Sequence, residues 1–520
     1  MSEPVKSLTN SFSWSAYETW TAIVLFLGTV LSRIPFRSRI LYHWDSVNFA
    51  FALREFNMAK EQPQPPGYIV YVWLCRIVDT VVHDAQTTMV IISIGASALA
   101  VVALFCLGRA MFNTQTGLIA ALFLATSPLF WFYGEIALPH SLDTLLVIVS
   151  VWWLYETMRG RHRYLYIAVI VLAIAGGVRQ QTIVFLAPLL LFALRGVGWK
   201  RFLAAGALGA VICLIWFVPL MILSDGFVNY MRVMGEFSRR FQSTTSVFMG
   251  GGWWGIRRNV LKLTMYTLFG WGATLVPGAF YAIRRLWWRE RLQSWERFVF
   301  LLLWMIPALV FYIIIHMGQQ GLVFVILPAL LLISAVGIER LFVTRPGYVI
   351  VATSVLVALN VGVFCLVPEY PLGLGRQRLL TRAALVNSDR YYQDRFRAVS
   401  ENFAPDSTAI LAANWHHVEY YLPAYELLPI DIIPKWELGA GQAGDGRSEE
   451  ERLSVGDLGL ISDADNLVKI IVFDKELASF NETPELTQAV ELDYGDQMEI
   501  LALSANQVLF LGSTFGIGEP

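Results

Sequence analysis

The chain has 520 residues, of which 56% are apolar and 15% charged, with a formal net charge of −1. That sum hides a division: residues 1–367 carry 28 Lys and Arg against 15 Asp and Glu, whereas residues 368–520 carry 11 against 25. Soluble domains carry about 25% charged residues, a density only the second part approaches, so a single soluble globule, a disordered chain and a fibrous chain are excluded.

Residues 1–20 hold one Lys and place Glu18 beside the first apolar run, with no small-residue cleavage pattern after it, so this run is expected to be a retained anchor. Twelve apolar segments follow in order, near 19–36, 67–82, 87–108, 117–133, 139–157, 164–178, 181–196, 203–224, 260–283, 298–315, 321–338 and 347–367. A spanning helix needs roughly 20 apolar residues. The second segment is short and meets Arg76 and Asp79, which suits a helix lying at the interface. If it does not cross and the N-terminus is cytoplasmic, five short inner loops (109–116, 158–163, 195–202, 284–297 and 339–346) collect 14 Lys and Arg. The loops near 134–138 and 316–320 hold none. The positive-inside rule selects this arrangement of 11 spans. It places residues 37–86, 134–138, 179–182, 225–258, 316–320 and the whole tail outside. The predicted fold is an all-α polytopic membrane domain over 1–367, with about 11 transmembrane helices plus interfacial helices, and a C-terminal soluble α/β domain over 368–520. In the tail, Ala409–Ala413, Val468–Phe473, Met498–Leu503 and Gln507–Leu511 read as strands, Arg382–Phe403 as a helix, and Gly439–Gly446 as a loop. The cysteines, Cys75, Cys106, Cys213 and Cys365, all sit in apolar runs and offer the tail neither disulfide nor zinc site.

Polar residues at the bilayer surface carry the information in such a chain, and here they gather on the outer side. The first outer loop runs His43-Trp44-Asp45-Ser46-Val47-Asn48, then Arg54, then Gln64-Pro65-Pro66-Gly67-Tyr68. Asp45 is a candidate general base; the plainer reading is a cap on a helix starting at Ser46. The second loop holds Tyr133-Gly134-Glu135, with His140 and Asp143 one turn on. Glu135 is either a solvated loop charge or an acid converging with Asp45 over one cavity. Arg179, between two apolar segments, either snorkels to headgroups or binds phosphate bidentately. The fourth loop, with Arg239 and Arg240 among five Arg and a Gly250-Gly251-Gly252 run, reads as a basic amphipathic lid or as a contact with anionic lipid. His316, followed by Gln319, either caps backbone carbonyls or donates to a sugar or phosphate.

The order of these features resembles the C-type (GT-C) membrane glycosyltransferases, in particular the protein O-mannosyltransferases and bacterial aminoarabinose transferases. The likeness covers roughly residues 15–370. It rests on Asp45-Ser46-Val47-Asn48-Phe49-Ala50, on Gln64-Pro65-Pro66-Gly67-Tyr68-Ile69 with Gln64 in place of the family's His, on Tyr133-Gly134-Glu135, on Gly177-Val178-Arg179 and on His316-Met317-Gly318-Gln319-Gln320-Gly321. The resemblance implies an inverting transfer of a sugar from a polyprenyl-phosphate donor to a lipid, protein or glycan acceptor at the outer face of a bacterial inner membrane. It implies Asp45 as base and Glu135 as the acid that positions sugar or acceptor. Arg179, His316, Gln319, Arg239 and Arg240 would hold the donor phosphate. His43, Asn48, Arg54, Gln64, Pro66 and Tyr68 would support the site from the first outer loop, and Tyr133 and His140 from the second. No nucleotide enters this chemistry, so neither metal nor other cofactor is expected.

Two other classes compete. A transporter or lipid flippase would hold its ionisable residues near the midplane between repeats, but here they lie in loops on one face. A non-catalytic scaffold would use the acidic tail and leaves Asp45 and Glu135 unexplained. Nucleic acid is not expected, because the outer basic residues are not interleaved with aromatics over a soluble surface.

Overall fold

The computed structural model describes residues 14–287, 295–372, 378–433, 452–455, 460–462, 469–504 and 507–518. Arg289 and Arg291 of the fourth inner loop, the Gly439–Gly446 loop and Val468 lie outside the described residues. The chain forms two compact units. The first comprises Met1–Arg37, Pro65–Pro368 and Leu380–Ala383, and the second Ser38–Gln64, Glu369–Leu379 and Ala384–Pro520. The first outer loop, expected with the membrane helices, therefore packs with the tail through residue 64.

The first unit is helical. Among the described residues five helices are long and apolar enough to cross a membrane: Ala16–Phe36, Ala85–Met111, Trp199–Leu223, Trp295–Ile314 and Pro346–Leu366. Thr114–Thr126, Tyr164–Val178 and Gln180–Ala193 are shorter apolar helices. The chain is thus an integral membrane protein. Ala16–Arg33 starts on a capping box between Ser15 and Glu18. Glu18 also accepts from Arg109 Nε at 2.5 Å and Thr114 Oγ1 at 3.0 Å, so it ties the first helix to the end of Ala85–Met111.

Two apolar runs are interrupted. Residues 117–133 divide at Ser127 into Thr114–Thr126 and Pro128–Tyr133, where Pro128 lacks the N–H a continuous helix needs. Residues 260–283 divide into Gly252–Trp271 and Leu275–Trp287. Gly272 between them has φ +58°, and a Cβ there would stand 2.5 Å from Asn360 Oδ1, which accepts the Ala273 N–H at 2.9 Å. Only glycine meets both demands.

The second unit is α/β. Its strands are β1 (Thr408–Ala412), β2 (Glu426–Ile433), β3 (Arg452–Val455), β4 (Leu460–Ser462), β5 (Lys469–Val472), β6 (Thr487–Glu491), β7 (Gln497–Ala502), β8 (Val508–Leu511) and β9 (Phe515–Gly518). The main sheet has the order β3-β2-β1-β5-β7-β6, and β4-β8-β9 forms a second. β1 lies parallel to both β2 and β5, and the other pairs are antiparallel. Successive side chains of a strand face opposite ways. Ala409 and Leu411 pack with Ile470, Val472, Leu501 and the Leu509, Phe515 and Ile517 of the small sheet. Ile410 and Ala412 pack with Tyr392, Phe396 and Val399 of the helix Arg382–Asn402 and Val418 of the helix Trp415–Tyr421. Burial on both faces explains why Thr408–Ala412 is apolar without alternation.

Candidate active site

In the first unit the acidic second loop is not at the surface. The helix Pro128–Tyr133 ends at Gly134, and Glu135 is fully buried. Trp131 Nε1 donates to Glu135 Oε1 at 2.7 Å, while Oε2 has no partner. Arg33, at the end of the first helix, is also fully buried and attracts this carboxylate. Its guanidinium lies 4.4 Å over the Trp131 ring and donates to Ala125 O at 2.7 Å, leaving Nε unpartnered. Burying an ionised group is costly unless opposite charge and hydrogen bonds compensate. The Arg33–Trp131–Glu135 cluster supplies both, yet keeps one acceptor and one donor unused.

Arg179 joins the helices Tyr164–Val178 and Gln180–Ala193 and is only 7% exposed, so its side chain does not reach headgroups. Arg179 Nη1 lies 3.5 Å from Asp143 Oδ2, a long contact for a charge-assisted hydrogen bond, whose usual length is 2.7–2.9 Å. Asp143 Oδ1 accepts from Thr182 Oγ1 at 2.8 Å. Tyr68 and Tyr312 lie near Arg179, and its Nε is unpartnered. Gln180 donates to Pro66 O at 3.4 Å and bonds Tyr230 OH at 3.0 Å, so the end of the first outer loop, the third turn and the fourth loop meet here.

The second and fifth loops also meet. The Tyr133 and His140 rings lie 4.9 Å apart, and a Cβ on Gly321 would stand 2.4 Å from His140 Cδ2 and 2.8 Å from Tyr133 Cε1. Gln319 opens the short turn Gln320–Val325 that carries this glycine. His316 Nδ1 lies 2.9 Å from Thr245 Oγ1. Asn259 bridges the same loops, donating to Thr245 O and Ile313 O and accepting from Met317 N, each at 3.1 Å. Lys262, 7% exposed, and Arg258 both act on the His316 ring. Arg239 and Arg240 are exposed on the helix Phe227–Gln242. Arg239 donates to its own helix at Gly235 O, and Arg240 lies over Phe237 and Phe241.

In the second unit the helix carrying Asp45 is Trp44–Arg54, two residues longer at its start than the sequence suggested. His43 is the cap: its Nδ1 accepts from Asp45 N at 3.1 Å. Asp45 therefore sits in the first turn and does not cap a helix beginning at Ser46. Since Nδ1 accepts, the His43–Asp45 approach of 3.8 Å is not an ion pair, and desolvation lowers the His43 pKa to about 4. Asn48 is buried on this helix, and Arg54 lies 5.8 Å over Tyr420. Gln64 closes the unit with its Oε1 buried and unpartnered.

Spacing in the sequence had no way to reveal Arg33, Thr245, Asn259, Lys262 or Tyr312. Arg33 ends a span where a cation usually reaches headgroups, and the others lie in or beside apolar helices. Among the described residues no three His, Cys, Asp or Glu side chains come together as metal ligands.

Residues 63–223 match the family model described as dolichyl-phosphate-mannose-protein mannosyltransferase. The crystal structure of ArnT from Cupriavidus metallidurans in the apo state is 14% identical with a TM-score of 0.57, over 94% of this chain and 99% of that one. The same protein bound to undecaprenyl phosphate is 12% identical with a TM-score of 0.57, over 95% and 98%. The Archaeoglobus fulgidus oligosaccharyltransferase in its apo form is 13% identical with a TM-score of 0.49, over 89% and 70%. No curated protein sequence matches the chain. The chain has an ArnT-like fold, and the matched family and the structural neighbours are glycosyltransferases. Motifs, family model and fold agree on resemblance to the GT-C glycosyltransferases.

Proposed function

We propose that the protein transfers a sugar from a polyprenyl-phosphate-linked donor to a hydroxyl acceptor (lipid, protein or glycan) at the extracytoplasmic face of a bacterial inner membrane, across which it passes 11 times. Asp45 takes the acceptor proton as the new acceptor-oxygen bond to the anomeric carbon forms. The bond from that carbon to the phosphate oxygen breaks, and polyprenyl phosphate leaves with the electron pair. One displacement inverts the anomeric centre. Glu135 orients sugar or acceptor through its unused oxygen. Arg179 faces the developing phosphate charge, with Lys262 and Arg258 as a second cationic cluster beside the His316 ring.

Arg179 is the observation that carries this reading. A guanidinium so deeply buried, held by one long ion pair and with an unused Nε–H, is suited to an anion that arrives within the membrane. The undecaprenyl phosphate bound by the similarly folded ArnT supports a lipid phosphate as that anion. The decisive variant is Asp45→Asn, assayed with a polyprenyl-phosphate sugar donor. Transfer is expected to vanish while folding is kept, and full activity would remove Asp45 as base. In a flippase instead, Asp45→Asn would leave sugar transfer absent in wild type and variant alike.

A further inference from the structure

The segment just before Asp45 is held by side chains that come from the far end of the chain. Asp389, on the helix Arg382–Asn402, accepts from Arg39 N at 2.9 Å through Oδ2 and from Ile40 N at 3.1 Å through Oδ1. The next amide, Leu41 N, donates to Tyr421 OH at 3.0 Å. Leu41 O accepts from His417 Nε2 at 2.7 Å. Three consecutive N–H groups and one carbonyl are thus satisfied by three tail side chains, where a loop normally relies on water or its own turns. Ile40 and Leu41 are buried, and Ile40 packs into the same core as Tyr392, Phe396, Ile410 and Val418. Beyond the cap at His43, the Asp45 helix lies along Trp415–Tyr421, with Trp44 and His416 5.7 Å apart and Phe51 and Tyr420 5.3 Å apart.

We infer that Asp389, His417 and Tyr421 are positioning residues for Asp45: the second unit is a clamp that fixes the backbone of the segment carrying the base. The inference rests on the assignment of Asp45 made above. It gives the acidic tail a part in the transfer reaction itself, in place of a separate binding task. Only three residues separate Leu41 from Asp45, and His43 links the two through the cap, so freedom at Arg39–Leu41 passes directly to the carboxylate. Proton abstraction demands close placement, and small misplacements cost about ten- to a hundredfold in rate.

The test uses the full-length enzyme in detergent or bilayer. Tyr421→Phe removes one oxygen and leaves the ring contacts. Asp389→Ala removes both amide acceptors, and Asp389→Asn keeps one. Amide hydrogen exchange over residues 39–41 and steady-state kinetics are measured together. Exchange is expected to rise in Tyr421→Phe and Asp389→Ala. With it kcat should fall about ten- to a hundredfold while the donor KM stays within about twofold, and Asp389→Asn should fall between wild type and Asp389→Ala. Unchanged exchange overturns the clamp, and so does raised exchange with unchanged kcat. Asp45→Asn is run in parallel. Full activity there overturns the base and the inference built on it, whereas an inactive Asp45→Asn beside fully active clamp variants overturns the clamp alone.

Discussion

The indole of Trp131 donates to one oxygen of Glu135, and the other oxygen of that fully buried carboxylate meets no protein donor. The arrangement leaves one strong acceptor for a hydroxyl from outside the protein. Glu135→Gln keeps the shape and removes the charge, so transfer is expected to drop about a hundredfold, and the melting temperature should fall as well because Arg33 is left buried without its counter-charge. Assays of initial rate and melting temperature check this, and wild-type turnover in the variant would rule out a role for the carboxylate.

Arg179 and Asp143 make separable contributions. Arg179→Ala leaves Asp143 buried with the Thr182 hydroxyl still donating to it, and breaking a buried pair costs about 3–5 kcal/mol. Adding Asp143→Ala removes the stranded charge. The double variant is expected to recover at least half of the lost thermal stability and none of the activity. Recovery of transfer would show that Arg179 serves only its partner.

Gly321→Ala tests the contact between the second and fifth loops. Its Cβ would overlap the Tyr133–His140 ring pair, and overpacking of this kind costs about 1–3 kcal/mol. Because Tyr133 lies two residues from Glu135, kcat should fall along with the melting temperature. A stable and fully active variant would show that the rings move aside freely.

His417 predicts an acid-sensitive second unit. A carbonyl only accepts, so the ring proton sits on Nε2 toward Leu41 O, and Nδ1 is buried without a partner. Desolvation, only partly offset by the Leu41 bond, pushes the folded pKa down to about 4 from 6.5. Between those values the unfolded chain binds the extra proton, so stability is present above 6.5 and is lost as pH falls toward 4, by up to about 3 kcal/mol. Thermal unfolding across this range should show that loss, and His417→Gln should flatten it. An equally steep profile in the variant would assign the loss to other groups.

The 11-span topology is open to labelling. In a background lacking the four native cysteines, Ser479→Cys in the tail should react with an impermeant maleimide on intact cells, and Arg163→Cys in the second inner loop should not. The opposite result reverses the orientation.

Much of the tail was legible because its central strands are apolar blocks between turn residues. β1, β5, β7 and β8 fall within one residue of the runs read from the sequence, and the helix Arg382–Asn402 falls where its periodicity put it. β2 was not, since Pro429 and Asp431 interrupt Glu426–Ile433 and a strand centre rarely holds proline. β6 was not either, because Thr487–Glu491 is a largely exposed edge with little apolar content. For the candidate site the sequence supplied the acids and Arg179. It hid their environment, because Arg33 and Trp131, or Asp143 and Arg179, meet through tertiary packing. The hold on Arg39–Leu41 is hidden for a different reason: backbone amides are the groups recognised, and any residue supplies them.

That hold also sets an order of events in the life of each molecule. Arg39 meets Asp389 only after 350 further residues have been made, and at about 5–20 residues per second that takes roughly half a minute. Until then the segment before Asp45 has no tail to bind it. A nascent chain that has not reached Tyr421 carries its first outer loop without that hold, so on the clamp inference Asp45 acquires its placement only after residue 421 has been made.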